Sequence, residues 1–281
     1  MITGTTQLLG VIGNPIAHSL SPVMHNAAIA HLGLDYVYLP LPVRPEDLPQ
    51  AIAGFAAIGL RGFSVTIPHK QAIMPLLQEI SPVAQAIGAV NTVARIDRGW
   101  FGTNTDVVGF LAPLKELNRS WQRAVILGNG GAARAVVAGC QQLGCSEIQV
   151  VGRDRAKLDQ FRSSWPDALS LSVHEWSDLP VLLPPADLVV NTTPIGMHPD
   201  TTRSPLPETE LDCLSPAAIV YDLIYTPRPT VLLQQAQMRG IKAIDGLEML
   251  VQQGAAALEL WVQQSAPVDV MRKALQQALA R

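Results

Sequence analysis

The sequence predicts an α/β fold in two domains, and three observations carry that reading. Short apolar runs of strand character alternate with helical patterns along the chain, which points to sheets covered by helices rather than to all-β packing. A chain of 281 residues, 48% of them hydrophobic, is long for one core and sufficient for two. A polar break at Asn118-Arg119-Ser120 separates two such alternating stretches. The expected division is an N-terminal α/β domain over 1–118 and a doubly wound parallel domain over 119–245. C-terminal helices over 246–281 are expected to return to the first domain, because the second sheet is complete without them.

In the first domain, Leu8 to Gly13 reads as a strand, and Ser21-Pro22 opens a helix to Leu32 with Ser21 as its N-cap. Tyr36–Leu39 is a second strand, Arg44–Ala57 a second helix, and Gly62–Ile67 a third strand stopped by Pro68. Short helices are expected at His69–Leu77 and Pro82–Gly88. A hairpin of Val90–Ile96 and Trp100–Thr103 is expected to turn at Asp97-Arg98-Gly99, followed by a helix over Asp106–Leu117. In the second domain the strands are Ala124–Leu127, Ile148–Val151, Leu188–Asn191, Ile219–Leu223 and Lys242–Ile244. The last helices are Gly246–Gln264 and Val268–Ala280.

Composition removes several function classes. The formal net charge is −3 and no dense basic stretch occurs, which argues against a nucleic-acid partner while leaving small anionic substrates open. No apolar run is long enough to cross a bilayer, and the N-terminus has no signal-like core, so no membrane partner is expected. Cys140, Cys145 and Cys213 form no C-x-x-C pair, and the histidines have no ligand spacing; free thiols in a reducing, cytoplasmic setting and no metal are expected.

The segment AVILGNGGAARAVVAGC reads as strand, glycine turn and small-residue helix. Gly128 permits the tight turn. Gly130 and Gly131 let the backbone approach a phosphate at the helix N-terminus, and Ala132, Ala133 and Ala135 let that helix pack closely. That is a Rossmann-like dinucleotide turn. At the end of the next strand, Gly152-Arg153-Asp154 puts a guanidinium where a ribose 2′-hydroxyl would otherwise meet a carboxylate, which favours NADP; Lys157 adds charge and Asp154 argues the other way.

Polar groups also gather at strand ends of the first domain. Ser19 and Ser21 precede a helix and suit a carboxylate, although Ser21 equally suits a cap. Thr66 and Lys70 flank Pro68, and Asn91 lies in GAVNT. Asp106 lies in GTNTD, where an N-cap role competes with a catalytic one.

These stretches resemble the shikimate dehydrogenase family over essentially the whole chain: GNPIAHSLSPVMHN, SVTIPHK, GAVNT, GTNTD, GNGGAARA, NTTPIGM, YDLIY and DGLEMLVQQ, in that order. The resemblance implies Lys70 and Asp106 as the catalytic pair, with Ser19 and Ser21 on the substrate carboxylate. It implies Thr66, Asn91, Tyr225 and Gln253 on the ring hydroxyls or carboxylate. It implies NADP held by Gly128, Asn129, Gly130, Gly131 and Ala132, by Gly152, Arg153, Asp154 and Lys157, and by Leu223 and Gly246. Two positions depart from the family pattern: Asn129 replaces a small Ala, and Gly152 replaces an Asn. The expected activity is reversible NADP-dependent reduction of 3-dehydroshikimate to shikimate, in chorismate and aromatic amino-acid biosynthesis. The alternatives are a quinate/shikimate dehydrogenase using NAD and a non-catalytic metabolite-binding regulator of the same fold. Monomer and homodimer are both open.

Overall fold

The computed structural model describes residues 2–280. In chain order, the first part contains β1 (Gln7–Gly13), α1 (Ser21–His31), β2 (Tyr36–Pro42), α2 (Leu48–Ala57), β3 (Gly62–Val65) and α3 (His69–Ala72). It continues with β4 (Glu79–Ile80), α4 (Pro82–Ile87), β5 (Thr92–Ile96), β6 (Gly99–Thr103) and α5 (Asp106–Lys115). Then follow β7 (Arg123–Leu127), α6 (Gly131–Gln142), β8 (Glu147–Gly152), α7 (Arg155–Ser163), β9 (Leu171–Glu175), α8 (Leu179–Leu182) and β10 (Leu188–Asn191). The chain closes with α9 (Glu208–Leu211), β11 (Ile219–Asp222), α10 (Val231–Met238), β12 (Lys242–Ile244), α11 (Leu247–Val262) and α12 (Val268–Leu279).

Two compact units emerge, Met1–Gly109 with Leu250–Arg281, and Phe110–Met249. The division falls within α5 and not at Asn118-Arg119-Ser120. The reason is packing: Phe110, Leu111 and Leu114 are buried, and Phe110 stacks on Tyr221 with ring centroids 5.5 Å apart. The second half of the helix therefore belongs to the second core.

The first unit holds a mixed sheet in the order β2-β1-β3-β5-β6-β4. β1 runs parallel to β2 and β3, while β5 is antiparallel to both β3 and β6. Register sets Ile12 opposite Val65, Ser64 opposite Thr92 and Thr92 opposite Thr103. The residues just past β1 and β3, just before β5 and just past β6 thus share one sheet edge. Phe63, Val65, Ile73, Val90 and Trp100 lie in the core beneath it. The C-terminal segment completes this unit. α12 packs on α1, with Met271 and Leu275 fully buried. Trp261 fills the space that a side chain on Gly62 would need, and its indole N–H donates to the Val93 carbonyl at 2.9 Å.

The second unit holds a wholly parallel sheet in the order β12-β11-β10-β7-β8-β9. This is the doubly wound order, in which strands are added on one side of β7 up to β9 and on its other side from β10 onward. Val125, Leu127, Val151, Val189 and Val220 form continuous apolar strands, as a sheet buried on both faces requires.

Several local expectations are corrected. The N-cap of α1 is Leu20, with no side-chain cap; Ser21 is already the first helical residue. α2 begins at Leu48, after a separate 3-10 turn over Pro45–Asp47. The helix expected over His69–Leu77 stops at Ala72, and a 3-10 turn over Met74–Leu76 follows, because Pro75 supplies no N–H to continue it. Two edge strands, β4 and β9, had no counterpart in the sequence reading.

Candidate active site and dinucleotide turn

Lys70 lies on α3, one turn beyond β3, and its backbone carbonyl accepts the Val90 N–H at 2.8 Å. Its Nζ donates to Asp106 Oδ2 at 2.5 Å, with both side chains largely buried. The other carboxylate oxygen of Asp106 accepts from Asn91 Nδ2 at 2.8 Å. Asn91 is in turn fixed from its carbonyl side: its Oδ1 accepts the Thr105 N–H at 2.7 Å and the Thr92 hydroxyl at 2.9 Å. Gln253 of α11 joins from above the sheet edge, its Oε1 3.4 Å from Asn91 Nδ2.

Asp106 is the first helical residue of α5 and not its N-cap, and its own N–H is satisfied by a neighbour. Asn104 Oδ1 accepts the Asp106 N–H at 3.0 Å, and Asn104 Nδ2 anchors to the Ala89 carbonyl at 2.9 Å. The Asp106 carboxylate is thereby left for side-chain partners. A buried ion pair is costly to desolvate, and a carboxylate with its oxygens hydrogen-bonded offsets that cost. Thr66 follows β3 and is half-buried, its methyl against Gly13, where a side chain would collide with it. Ser19 and Ser21 lie in the loop after β1 and the first turn of α1, with Ser19 Oγ accepting the Ser21 N–H at 3.3 Å. Since Ser21 does not cap α1, its hydroxyl is not tied to the backbone ahead of it.

In the second unit, Gly128 N–H donates to the Val151 carbonyl at 2.8 Å and Thr192 N–H to the Leu127 carbonyl at 3.0 Å, which aligns the ends of β7, β8 and β10. Gly128 has φ +103°, and a Cβ there would stand 2.8 Å from Thr192 Oγ1. Gly130 is the N-cap of α6 and has open space around its Cα, and no side chain caps the helix. Free first-turn N–H groups on a 12-residue helix suit a phosphate. Arg153 is exposed. Asp154 is already engaged: it caps α7 by accepting the Lys157 N–H at 3.2 Å, and Lys157 Nζ lies 3.7 Å from it. Leu223 and Gly246 meet, since a Cβ on Gly246 would collide with the Leu223 carbonyl group. Tyr225 lies half-buried two residues beyond Leu223.

A family model for the shikimate dehydrogenase substrate binding domain matches residues 11–93, and one for the shikimate 5'-dehydrogenase C-terminal domain matches residues 246–276. The shikimate dehydrogenase (NADP(+)) of Trichormus variabilis is 66% identical over 286 residues, spanning 99% of each chain. The chain belongs to the shikimate dehydrogenase family. A solved shikimate dehydrogenase in complex with NADP+ superposes with a TM-score of 0.92 at 38% identity, over 100% of this chain and 98% of that one. Shikimate 5-dehydrogenase from Listeria monocytogenes, in complex with shikimate and NAD, gives 0.88 at 37% identity over 98% of each chain.

The family's dinucleotide fits what the second unit offers: an uncapped helix N-terminus behind a glycine turn, an exposed guanidinium, and a neighbouring carboxylate withdrawn into a cap. The sequence reading missed a buried polar network beneath this site. Asp222, at the end of β11, accepts from Asn191 Nδ2 at 3.0 Å, from the Ile224 N–H at 3.1 Å and from the Thr230 hydroxyl at 2.7 Å. Asn191 Oδ1 accepts from the Thr193 hydroxyl at 2.7 Å. Burial raises the Asp222 carboxyl to about 6. The network ties the Thr192-Thr193 segment beside Gly128 to the loop that carries Leu223 and Tyr225. Its only sequence signal is polar residues at the ends of two otherwise apolar strands, NTT and YDLIY.

Proposed function

We infer that this chain catalyses the reversible NADP-dependent reduction of 3-dehydroshikimate to shikimate, a step of chorismate and aromatic amino-acid biosynthesis. The observation that carries the reading is the buried Lys70–Asp106 pair braced by Asn91 at the sheet edge. When bound, NADPH supplies the hydride. Lys70 gives a proton to the ketone oxygen in reduction and takes it back in oxidation, and its charge stabilises the developing alkoxide. Asp106 orients Lys70 and accepts from a neighbouring substrate hydroxyl. Ser19 and Ser21 bind the substrate carboxylate; Thr66, Asn91, Tyr225 and Gln253 bind ring hydroxyls or carboxylate. The backbone from Gly128 to Ala132 holds the pyrophosphate, Gly152 to Lys157 the adenosine end, and Leu223 and Gly246 the remainder.

Three free cysteines fit a reducing, cytoplasmic setting, and no helix among the described residues is long and apolar enough to cross a membrane. The deciding experiment is steady-state kinetics on shikimate and quinate with NADP and with NAD, read at the NADPH or NADH absorbance band. Turnover of shikimate with NADP far above the other three combinations is expected. Equal use of quinate, or a preference for NAD such as the Listeria complex invites, would replace this reading with a quinate/shikimate dehydrogenase. No absorbance change with any pair would leave a metabolite-binding regulator.

A further inference from the structure

Asn129 stands at the tip of the glycine turn, half-exposed, and its carboxamide has no hydrogen-bond partner among the described residues. The register explains where it points. Leu127 lies opposite Val151, so one step beyond the ladder Gly128 falls beside Gly152, and Asn129 follows directly. A Cβ built on Gly152 would lie 3.5 Å from Asn129 Cγ, and 2.9 and 3.1 Å from Leu158 Cδ2 and Cγ. Gly152 is not among the glycines with positive φ, so the backbone does not require glycine there. What the absence of a side chain provides is room: the tip of Leu158 fills most of the space over Gly152, and the Asn129 carboxamide borders it at van der Waals distance.

That volume adjoins Arg153, the exposed cation at the end of β8. The carboxylate at Asp154 is turned toward the α7 N-terminus and Lys157. A donor with no partner among the described residues, beside a glycine whose chain neighbour is the exposed Arg153, suits a phosphate monoester on a ribose more than a bare hydroxyl pair.

We propose that Asn129 is a specificity-determining residue for the dinucleotide: its Nδ2 donates to the ribose 2′-phosphate that Arg153 pairs with, from its place beside Gly152. The assignment rests on the NADP reading above and deepens it. Asn129 and Arg153 then read the same group, one by a directed hydrogen bond and one by charge.

The test is equilibrium binding to the full-length protein by calorimetry, with adenosine 2′,5′-bisphosphate and AMP as probes. Asn129→Ala is expected to weaken the bisphosphate about tenfold and AMP less than about twofold, as loss of one hydrogen bond to a charged group implies. Asn129→Asp keeps the shape and sets a negative charge against the 2′-phosphate; its loss for the bisphosphate should be larger still, with AMP again little changed. In Asn129→Ala/Gly152→Asn the carboxamide returns from the other strand end, with the tip of Leu158 moving aside, and part of the bisphosphate affinity should return. Equal losses for both probes, or none, would overturn the assignment. The two readings fail separately: wild type with no preference for the bisphosphate over AMP overturns the NADP reading, whereas a wild-type preference that Asn129→Ala leaves intact overturns only the role of Asn129. A melting curve for each variant confirms that the fold is retained.

Discussion

Asp106 commits one carboxylate oxygen to Lys70 and the other to Asn91, and a backbone cap from Asn104 leaves it able to do so. Lys70 therefore has a fixed position before any ligand arrives. Lys70→Ala is expected to lower kcat by at least about a hundredfold, the usual scale for losing a positioned proton donor, with a smaller change in KM. Near-normal turnover in that variant would remove Lys70 from the chemistry. A different buried residue is expected to set the acid limb of stability. His25 is fully buried, both ring nitrogens lack hydrogen-bond partners among the described residues, and its ring stacks on Tyr38 at 4.2 Å. Burial lowers its pKa from 6.5 to about 3. Its folded value lies below its unfolded one, so between those two pH values the unfolded chain binds the extra proton and folding weakens as pH falls, by about 5 kcal/mol over the whole window. Asp222 works the other way: with its carboxyl raised from 3.8 to about 6, the folded state binds the extra proton and gains stability as pH falls through that window. His25→Phe keeps the ring and removes the titration. Its stability relative to wild type, from urea unfolding, is expected to rise steadily from pH 7 to pH 4.5; parallel curves would mean that His25 does not set the acid limb.

At the scale of elements, the β7–turn–α6 unit is built around one backbone conformation. Gly128 holds φ +103°, and a methyl group there would meet Thr192 Oγ1 at 2.8 Å. Gly128→Ala is expected to cost about 1–3 kcal/mol in unfolding free energy and to weaken NADP binding by more than tenfold in the same preparation. This element was legible in the sequence because an apolar run, a glycine cluster and a small-residue helix each have a separate physical cause. Other features were not. The cap of α1 shifts by one residue on the backbone angles of Leu20, which composition does not encode. β9 is five residues at a sheet edge with Ser172 and His174 interrupting its apolar character, too short for a period to emerge. Asp106 as cap and Asp106 as site residue look identical in sequence, and only the position of Asn104 separates them. Asp222, Asn191 and Thr230 come together from separate parts of the chain, so their network could be read only once the strand order was known.

At the scale of the whole molecule, a dinucleotide that binds the folded chain alone must stabilise it. At a free concentration a hundred times its Kd, NADP is expected to add about 2.7 kcal/mol and to raise Tm by several degrees, while NAD at the same concentration adds clearly less. Differential scanning calorimetry measures both, and equal shifts would remove the cofactor preference. The route by which Trp261 reaches Gly62 has a consequence for synthesis. The indole that seals β3 against β5 leaves the ribosome only after the entire segment Phe110–Met249 has been made. At about 5–20 residues per second, that interval is roughly 7 to 28 s. The second unit, contiguous in the chain, can close during that time, while the sheet begun first must wait unsealed. The order of translation and the order of completion are thus reversed, and the exposed edge at Gly62 is where a nascent chain of this protein would most need a chaperone.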